Sequence, residues 1–121
     1  METKRTTAAQ RCMDDCCQCV TICLETLTHC VTQGGSCCNP KLIGLLQDCA
    51  EICQAACNCT ARRSTSCSKI CTTCAEICLA CAAACEQVKA DKALANCAEV
   101  CRRCAESCKA DTQSMGAGAS H

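Results

Sequence analysis

The sequence predicts an all-α protein, an up-down-up-down antiparallel four-helix bundle with a cysteine-lined core. Of its 121 residues, 22 are cysteine, and over residues 67–85 they recur at intervals of four, three, four, three and four. These intervals average 3.5 residues, the repeat that keeps one helix face against a partner helix. A Cys-Ala-Glu-x-Cys segment also occurs four times, and it places two thiols on one helix face each time. Short connections between the helical stretches favour antiparallel neighbours.

The four predicted helices span about residues 7–32, 40–61, 65–88 and 91–109. Thr7 and Gln10 have the spacing of a capping box that opens helix 1. Asn39 before Pro40 places a capping side chain ahead of a first-turn proline, which is a strong start signal for helix 2. Two glycines separate these helices.

The second half of the chain shows similar boundaries. Ser64 or Ser66 can cap helix 3, and Asp91 can cap helix 4. The bundle domain is expected over residues 1–111. The segment 112–121 is small and polar, and it is expected to be a flexible tail.

The predicted bundle has a stripe of inward-facing thiols on every helix. Eighteen cysteines fall on these stripes: Cys12, Cys16, Cys19, Cys23 and Cys30 in helix 1; Cys49, Cys53 and Cys57 in helix 2; Cys67, Cys71, Cys74, Cys78, Cys81 and Cys85 in helix 3; and Cys97, Cys101, Cys104 and Cys108 in helix 4. Thr26 occupies the one stripe position of helix 1 that lacks a thiol. The other four cysteines, Cys17, Cys37, Cys38 and Cys59, lie off the stripes or in a loop.

Antiparallel threading gives the bundle two different ends. Leu42, Leu46 and Leu94 fall at one end, which we expect to be plugged by aliphatic side chains. Four stripe cysteines gather at the other end, near Met13: Cys12, Cys57, Cys67 and Cys108. The predicted cargo would therefore enter at this sulfur end.

Composition and charge exclude several functions. Twelve basic residues balance twelve acidic ones, and there is no Phe, Tyr or Trp, so neither electrostatic binding nor base stacking to nucleic acid is expected. No apolar run approaches a membrane span, and the N-terminus lacks a secretory signal, so a cytoplasmic location is expected. In a reducing cytosol, abundant cysteine indicates metal binding or redox chemistry rather than a disulfide scaffold. The glutamates of the repeated segment point away from the thiols, so no catalytic residue and no enzyme activity is expected.

The charge of the core selects among metals. Buried thiolates are anionic, and no Lys or Arg occupies an inner position to neutralise them. A four-thiolate zinc site would keep two negative charges. Cu(I) is soft and monovalent, and two or three bridging thiolates can hold each ion. Near one ion per thiolate the core becomes neutral, so many Cu(I) ions are favoured, and Ag(I) would fit as a probe.

Four alternatives are weaker. An iron–sulfur or zinc thiolate protein needs only a small set of cysteines. A thiol redox protein needs a Cys-x-x-Cys pair at a helix N-terminus, whereas the pairs here lie inside helices. Disorder of the metallothionein type conflicts with the helix caps and the Ala, Leu and Ile content. Thiols that merely pack could be replaced by alanine without the hazard of oxidation.

The repeated Cys-Ala-Glu-Ile-Cys segments, thiol pairs on four successive helices and the lack of aromatic residues resemble the bacterial copper storage proteins, and most closely their cytosolic branch. The resemblance covers about residues 7–110. It implies a four-helix bundle, many Cu(I) ions, homotetramers, a role in copper storage or detoxification, and a copper chaperone as a possible partner. The metal ligands it implies are the eighteen stripe cysteines together with Cys17, Cys37, Cys38, Cys59, Met13 and His29. Met115 and His121, in the tail, are expected to be idle.

Overall fold

The structure is a computed structural model that describes the backbone of residues 6–119 and the side chains of residues 6–37 and 39–114. Its elements are α1 (Thr7–Gln33), a 3₁₀ turn (Gly35–Cys38), α2 (Pro40–Ala61), α3 (Cys67–Glu86) and α4 (Lys92–Ala119). No strand occurs in the described part of the chain. The predicted all-α four-helix fold is confirmed.

The four helices form a square bundle. α1 packs against α2 and α4, and α3 packs against the same two helices, while the backbones of the diagonal pairs stay apart and only their core side chains meet. The first turns of α1 lie beside the end of α4, since the Sγ atoms of Cys12 and Cys108 are 3.7 Å apart. The helices therefore run up, down, up and down, and their inner faces enclose one central core.

The starts of α1 and α2 follow from side-chain caps. Thr6, rather than Thr7, caps α1, and its Oγ1 accepts a 3.0 Å hydrogen bond from the Ala9 amide. The capping box was therefore predicted one residue too late. Asn39 caps α2 as predicted, because its Oδ1 accepts a 2.8 Å bond from the Leu42 amide.

α3 begins without the predicted side-chain cap. Ser66 is the residue before its first turn, yet its hydroxyl makes no capping bond. The Ser66 amide instead donates to Ser64 Oγ at 3.1 Å, which closes the connecting turn locally. The prediction for α3 was two residues too long at each end, because Ser64 organises the turn and not the helix.

α4 begins as predicted and continues further than predicted. Asp91 Oδ1 accepts a 3.0 Å bond from the Leu94 amide. The backbone stays helical to Ala119 instead of fading after Lys109, since no proline interrupts it and Asp111 is buried against the bundle. The predicted flexible tail thus begins inside the helix. Ser120 and His121 lie outside the described residues.

α3 has the length and apolar composition of a membrane-spanning helix, unlike any other helix in the described part of the chain. The sequence analysis had found no run of this kind. Cysteine and alanine supply much of the apolar character, and one face of α3 from Cys67 to Cys85 is buried inside the bundle. The core helix of a soluble protein has these same properties.

Replacement of Asp91 tests the cap of α4. Asp91→Ala removes the partner of the Leu94 amide and of His29 Nε2, so we expect the free energy of unfolding at pH 7 to fall by about 1 kcal/mol. The His29 and Leu94 hydrogen bonds hold the Asp91 pKa at about 2, below its usual 3.8. Stability that the ionised carboxylate provides is therefore present above pH 3.8 and lost as the pH falls towards 2.

Urea unfolding of the metal-free, reduced protein over this pH range measures the effect. The matched variant Asp91→Asn keeps a capping oxygen, so it should lose less stability than Asp91→Ala. Equal losses in the two variants would contradict the capping role.

Candidate metal centre

The core of the bundle consists of thiols. Of the 21 cysteines with described side chains, 19 are buried. The buried set is Cys12, Cys16, Cys19, Cys23, Cys30, Cys37, Cys49, Cys53, Cys59, Cys67, Cys71, Cys74, Cys78, Cys81, Cys85, Cys97, Cys101, Cys104 and Cys108. Seventeen of the eighteen stripe cysteines are in this set, and Thr26 is buried among them as predicted. All these cysteines are free thiols.

Cys57 is the exception on the predicted stripes. It is half-buried, whereas Cys59 is fully buried and lies 3.2 Å from Cys67, sulfur to sulfur. The inner face of α2 continues from Cys53 to Ala56 and Thr60. After Cys53 the inner face therefore advances by three residues, to Ala56, and not by four, to Cys57. A 3.5-residue repeat alternates steps of three and four residues, so the prediction that Cys57 lies on the inner stripe was wrong.

Sulfur atoms from different helices approach closely in the middle of the core. Cys53 Sγ lies 3.6 Å from Cys74 Sγ and Cys78 Sγ, which belong to α3. It also lies 3.8 Å from Cys104 Sγ of α4. Sulfurs at these separations can share one metal ion at ordinary metal–sulfur bond lengths of about 2.3 Å.

Four groups of four buried thiols have every sulfur within 4.8 Å of the others. The groups are Cys16, Cys74, Cys104 and Cys108; Cys19, Cys53, Cys78 and Cys104; Cys19, Cys23, Cys49 and Cys101; and Cys23, Cys81, Cys97 and Cys101. Successive groups share a thiol: Cys104, then Cys19, then Cys23 and Cys101. Separate four-thiolate ions cannot fill them all, but ions joined by bridging thiolates can. The thiols of these groups form one continuous set that could hold metal ions.

The thiols of the core cannot all ionise on their own. The pKa of Cys19 is lowered by its hydrogen bonds with neighbouring thiols, Cys101 foremost. The pKa of Cys101 is raised by its hydrogen bonds with Cys19 and other sulfurs, and by burial, which disfavours a thiolate. No Lys, Arg or His is buried among the described residues. Full ionisation therefore requires cations that come from outside the chain.

The two ends of the core differ as predicted. Leu42, Leu46 and Leu94 are completely buried at one end. Thr60 and Asp111 lie near the other end, and both are buried. Burial raises the Asp111 pKa to about 6, with further contributions from Cys12 and Cys108.

Asp111 and Thr60 are site residues that the sequence analysis missed. The stripe of α4 reads 97, 101, 104 and 108, and a further step of three reaches Asp111. The stripe of α2, continued from Cys53 by three and then four, reaches Thr60. Continuing the alternation past the last stripe cysteine would have identified both.

His29 is turned towards a carboxylate. Its Nε2 lies 2.9 Å from Asp91 Oδ2, and the Cys37 thiol donates to the same oxygen at 3.3 Å. Cys30 is buried beside this cluster, and burial followed by the charges of Cys37 and Asp91 raises its pKa to about 11. Copper ligation by His29 stays a prediction, and ligation through Nε2 would require the Asp91 contact to break, whereas ligation through Nδ1 would not.

Two further predicted ligands, Cys17 and Met13, lie outside the set of buried core thiols. Cys17 is exposed on α1, and its Sγ is 3.1 Å from that of the half-buried Cys57 on α2. Met13 is half-buried in the first turns of α1. The side chains of Cys38 and Met115 are not among those described.

The chain matches a known family over most of its length. The profile of the copper storage protein family covers residues 5–113. No protein with a curated description gives a significant match.

Solved structures with the same fold include copper proteins. A protein from Nitrosospira multiformis is 37% identical, with a TM-score of 0.82, and the alignment covers 88% of this chain and 95% of that one. The Cu(I)-bound copper storage protein BsCsp3 is 29% identical, with a TM-score of 0.81 and coverage of 86% and 97%. Metal-free copper storage protein 3 from Bacillus subtilis has a TM-score of 0.77 at 29% identity, with coverage of 86% and 98%. A cytosolic copper storage protein from Streptomyces lividans is 25% identical, with a TM-score of 0.77 and coverage of 88% and 92%.

Asp111 provides a test of the electrostatics at the sulfur end. Its pKa is raised from 3.8 to about 6, so the ionised carboxylate destabilises the metal-free fold fully above pH 6. This destabilisation decreases as the pH falls from 6 to 3.8, and it is absent below pH 3.8. Asp111→Asn should therefore increase the free energy of unfolding at pH 7 by roughly 1 kcal/mol, and the gain should disappear near pH 4.

Chemical unfolding of the reduced, metal-free protein at several pH values measures this gain. Glu106→Gln, an exposed position on the same helix, is the control and should change stability little at any pH. A gain that is independent of pH would contradict the assignment.

Proposed function

The chain belongs to the copper storage protein family, and from that premise we propose that it stores Cu(I) as thiolate-bridged ions along its core, at close to one ion per thiolate. The family is one of storage proteins rather than enzymes. The cargo is copper, as in the Cu(I)-bound and copper-loaded structures that share the fold. Storage would protect the cell from free copper and keep the metal available.

The observation that carries the proposal is the sharing of thiols between neighbouring groups. Cys104, Cys19, Cys23 and Cys101 each belong to two of the four-thiol groups. A zinc or iron–sulfur site uses each cysteine at one centre and leaves the rest of the core apolar. A soft monovalent ion with two or three bridging sulfurs uses all of them.

Charge supports the same stoichiometry. The described core contains no cationic side chain, so every thiolate needs one positive charge from the cargo. One Cu(I) per thiolate neutralises the core, whereas one divalent ion per four thiolates leaves two negative charges in each group. We therefore favour filling to near one ion per cysteine.

We propose that loading starts at the sulfur end. The opposite end is filled by Leu42, Leu46 and Leu94, which are completely buried. The buried Asp111 carboxylate adds negative charge beside Cys12 and Cys108, which attracts a cation to this end. Copper then displaces thiol protons and passes inward from one pair of sulfurs to the next.

Titration with Cu(I) tests the storage function. Reduced, metal-free protein is titrated anaerobically against a chromogenic Cu(I) chelator, and we expect saturation near the 22 cysteines of the chain. About one proton should be released per ion, and the affinity should weaken as the pH falls, because protons compete for sulfur.

Two variants sharpen the titration. Glu76→Gln changes an exposed carboxylate between two core cysteines and should leave the capacity unchanged. Cys53→Ala removes a central thiol and should lower the capacity by roughly one or two ions, because bridged ions lose a shared ligand. Saturation of the unmodified protein at four or five ions would overturn the storage function.

We further propose a cytoplasmic homo-oligomer, by resemblance a tetramer, that exchanges copper with a carrier or chaperone. Two observations support it: a cytosolic protein shares the fold, and α1 exposes Leu24 and Val31 seven residues apart on one face. Exposed apolar side chains on one helix face favour association. Leu24 is 48% exposed and Val31 is 62% exposed.

Light scattering coupled to size exclusion tests the assembly. The intact protein should have about four times the 12.7 kDa mass of one chain, and Leu24→Glu should lower that mass by placing a charge in the apolar face. Glu25→Gln, an exposed neighbour, is the control. A monomer in the intact protein would contradict the proposal.

A further inference from the structure

The core thiols are buried, so a carrier that delivers or removes Cu(I) cannot reach them directly. Cu(I) passes between thiolates by direct contact of sulfur with metal, so a carrier must reach a protein sulfur. The thiols nearest the sulfur end are almost completely covered: Cys12, Cys59, Cys71 and Cys108 have no exposed surface, and Cys67 is 3% exposed. Among the cysteines with described side chains, only Cys17 is exposed and only Cys57 is half-buried.

These two accessible thiols form a pair. Cys17 lies on α1 and Cys57 on α2, 40 residues apart in the chain, and their Sγ atoms are 3.1 Å apart. Both lie outside the inner stripes. Because exposed thiols are easily oxidised, a purely packing role would be served better by serine or alanine. Two accessible sulfurs that face each other across a helix pair have the composition of a two-coordinate Cu(I) site.

We propose that Cys17 and Cys57 form an exterior dithiolate site that accepts Cu(I) from thiol-bearing carriers and passes it into the core. This inference rests on the proposed storage function and names the place where copper is exchanged. The recognised ligand is a Cu(I) bis-thiolate complex, of which glutathione-bound Cu(I) is the simplest representative.

The pair is connected to the core through Cys12. Burial and then the Cys17 thiol raise the pKa of Cys57 to about 11, and the charge of Cys12 contributes next, so Cys12 lies within electrostatic reach. From Cys12 the sulfurs continue to Cys108 at 3.7 Å and Cys16 at 3.9 Å. In the proposed transfer, copper moves from the exterior pair to Cys12 and then along these core sulfurs.

The exchange balances without any redox step. A Cu(I) ion bound by two carrier thiolates forms bonds to Cys17 Sγ and Cys57 Sγ as the two carrier bonds break. The two protein thiols give up their protons, and the two released carrier thiolates take them up as thiols. Copper stays monovalent, and the protein complex carries the same single negative charge as the carrier complex.

The rate of copper uptake tests the site. Reduced, metal-free protein is mixed anaerobically with glutathione-bound Cu(I) in the presence of a phosphine reductant, and the thiolate-to-copper charge-transfer absorbance is followed for the first equivalent. Cys17→Ser, Cys57→Ser and the double variant should each slow uptake by about tenfold or more, because the carrier must then wait for a local opening of the bundle. Brief alkylation of intact protein with a maleimide should modify Cys17 first and slow uptake in the same way.

The matched control is Asn58→Ser, which changes an exposed side chain next to Cys57 and removes no thiol. It should load as fast as the intact protein. Final capacities of all variants should stay within about two ions of the intact protein, since the core is untouched.

Three results would overturn the exterior site. The first is an equal rate of first-equivalent uptake in the intact protein and the double variant. The second is equal slowing by Asn58→Ser. The third is a Cys17–Cys57 disulfide that persists in the phosphine while copper loading proceeds at the full rate, which would indicate a redox role instead. The uptake experiment follows only the first equivalent of copper. A low final capacity would therefore overturn the proposed storage function without contradicting the exterior site.

Discussion

A thiolate in a protein interior must have positive charge beside it, and the core of this bundle provides none. Among the described residues no Lys, Arg or His is buried, and the one buried acidic side chain, Asp111, adds further negative charge. The metal-free core therefore keeps most of its protons, while the loaded core needs nearly as many charges as it has thiolates. This requirement favours a monovalent ion, because one such ion neutralises one thiolate. It also makes binding sensitive to acid, because protons compete with the metal for sulfur.

The same core is a weak hydrophobic core. It contains no aromatic residue, and its only completely buried large aliphatic side chains are Leu42, Leu46 and Leu94, gathered at one end. Cysteine and alanine fill the rest, and each buries little apolar surface. Caps such as Asn39 and Asp91 therefore matter more to the metal-free protein than they would in an ordinary bundle. Metal–sulfur bonds would add the stability that the side chains do not supply.

Storage and exchange place opposite demands on a thiol. Storage favours sulfurs that water and oxidants do not reach, which is the situation of the 19 buried cysteines. Exchange with a carrier requires a sulfur that can be touched, and among the described thiols only Cys17 and Cys57 meet that condition. The bundle separates the two demands in space, because the inner stripes of α1 and α2 bury their thiols, while Cys17 is exposed and Cys57 is half-buried at the edge of the core.

The sequence by itself determined the fold class, the caps at Asn39 and Asp91 and seventeen of the eighteen stripe thiols as buried residues, because helical periodicity and capping are local properties of the chain. It placed Cys57 in the core and left Thr60 and Asp111 out, although the alternation of three- and four-residue steps reaches both positions. Cys59 lies off that alternation, so only the packing against Cys67 reveals its burial. The tertiary structure alone decided that Cys17 faces Cys57, that Cys104 and Cys19 each belong to two thiol groups, and that His29 contacts Asp91. These are contacts between distant segments, and packing geometry rather than local preference sets them.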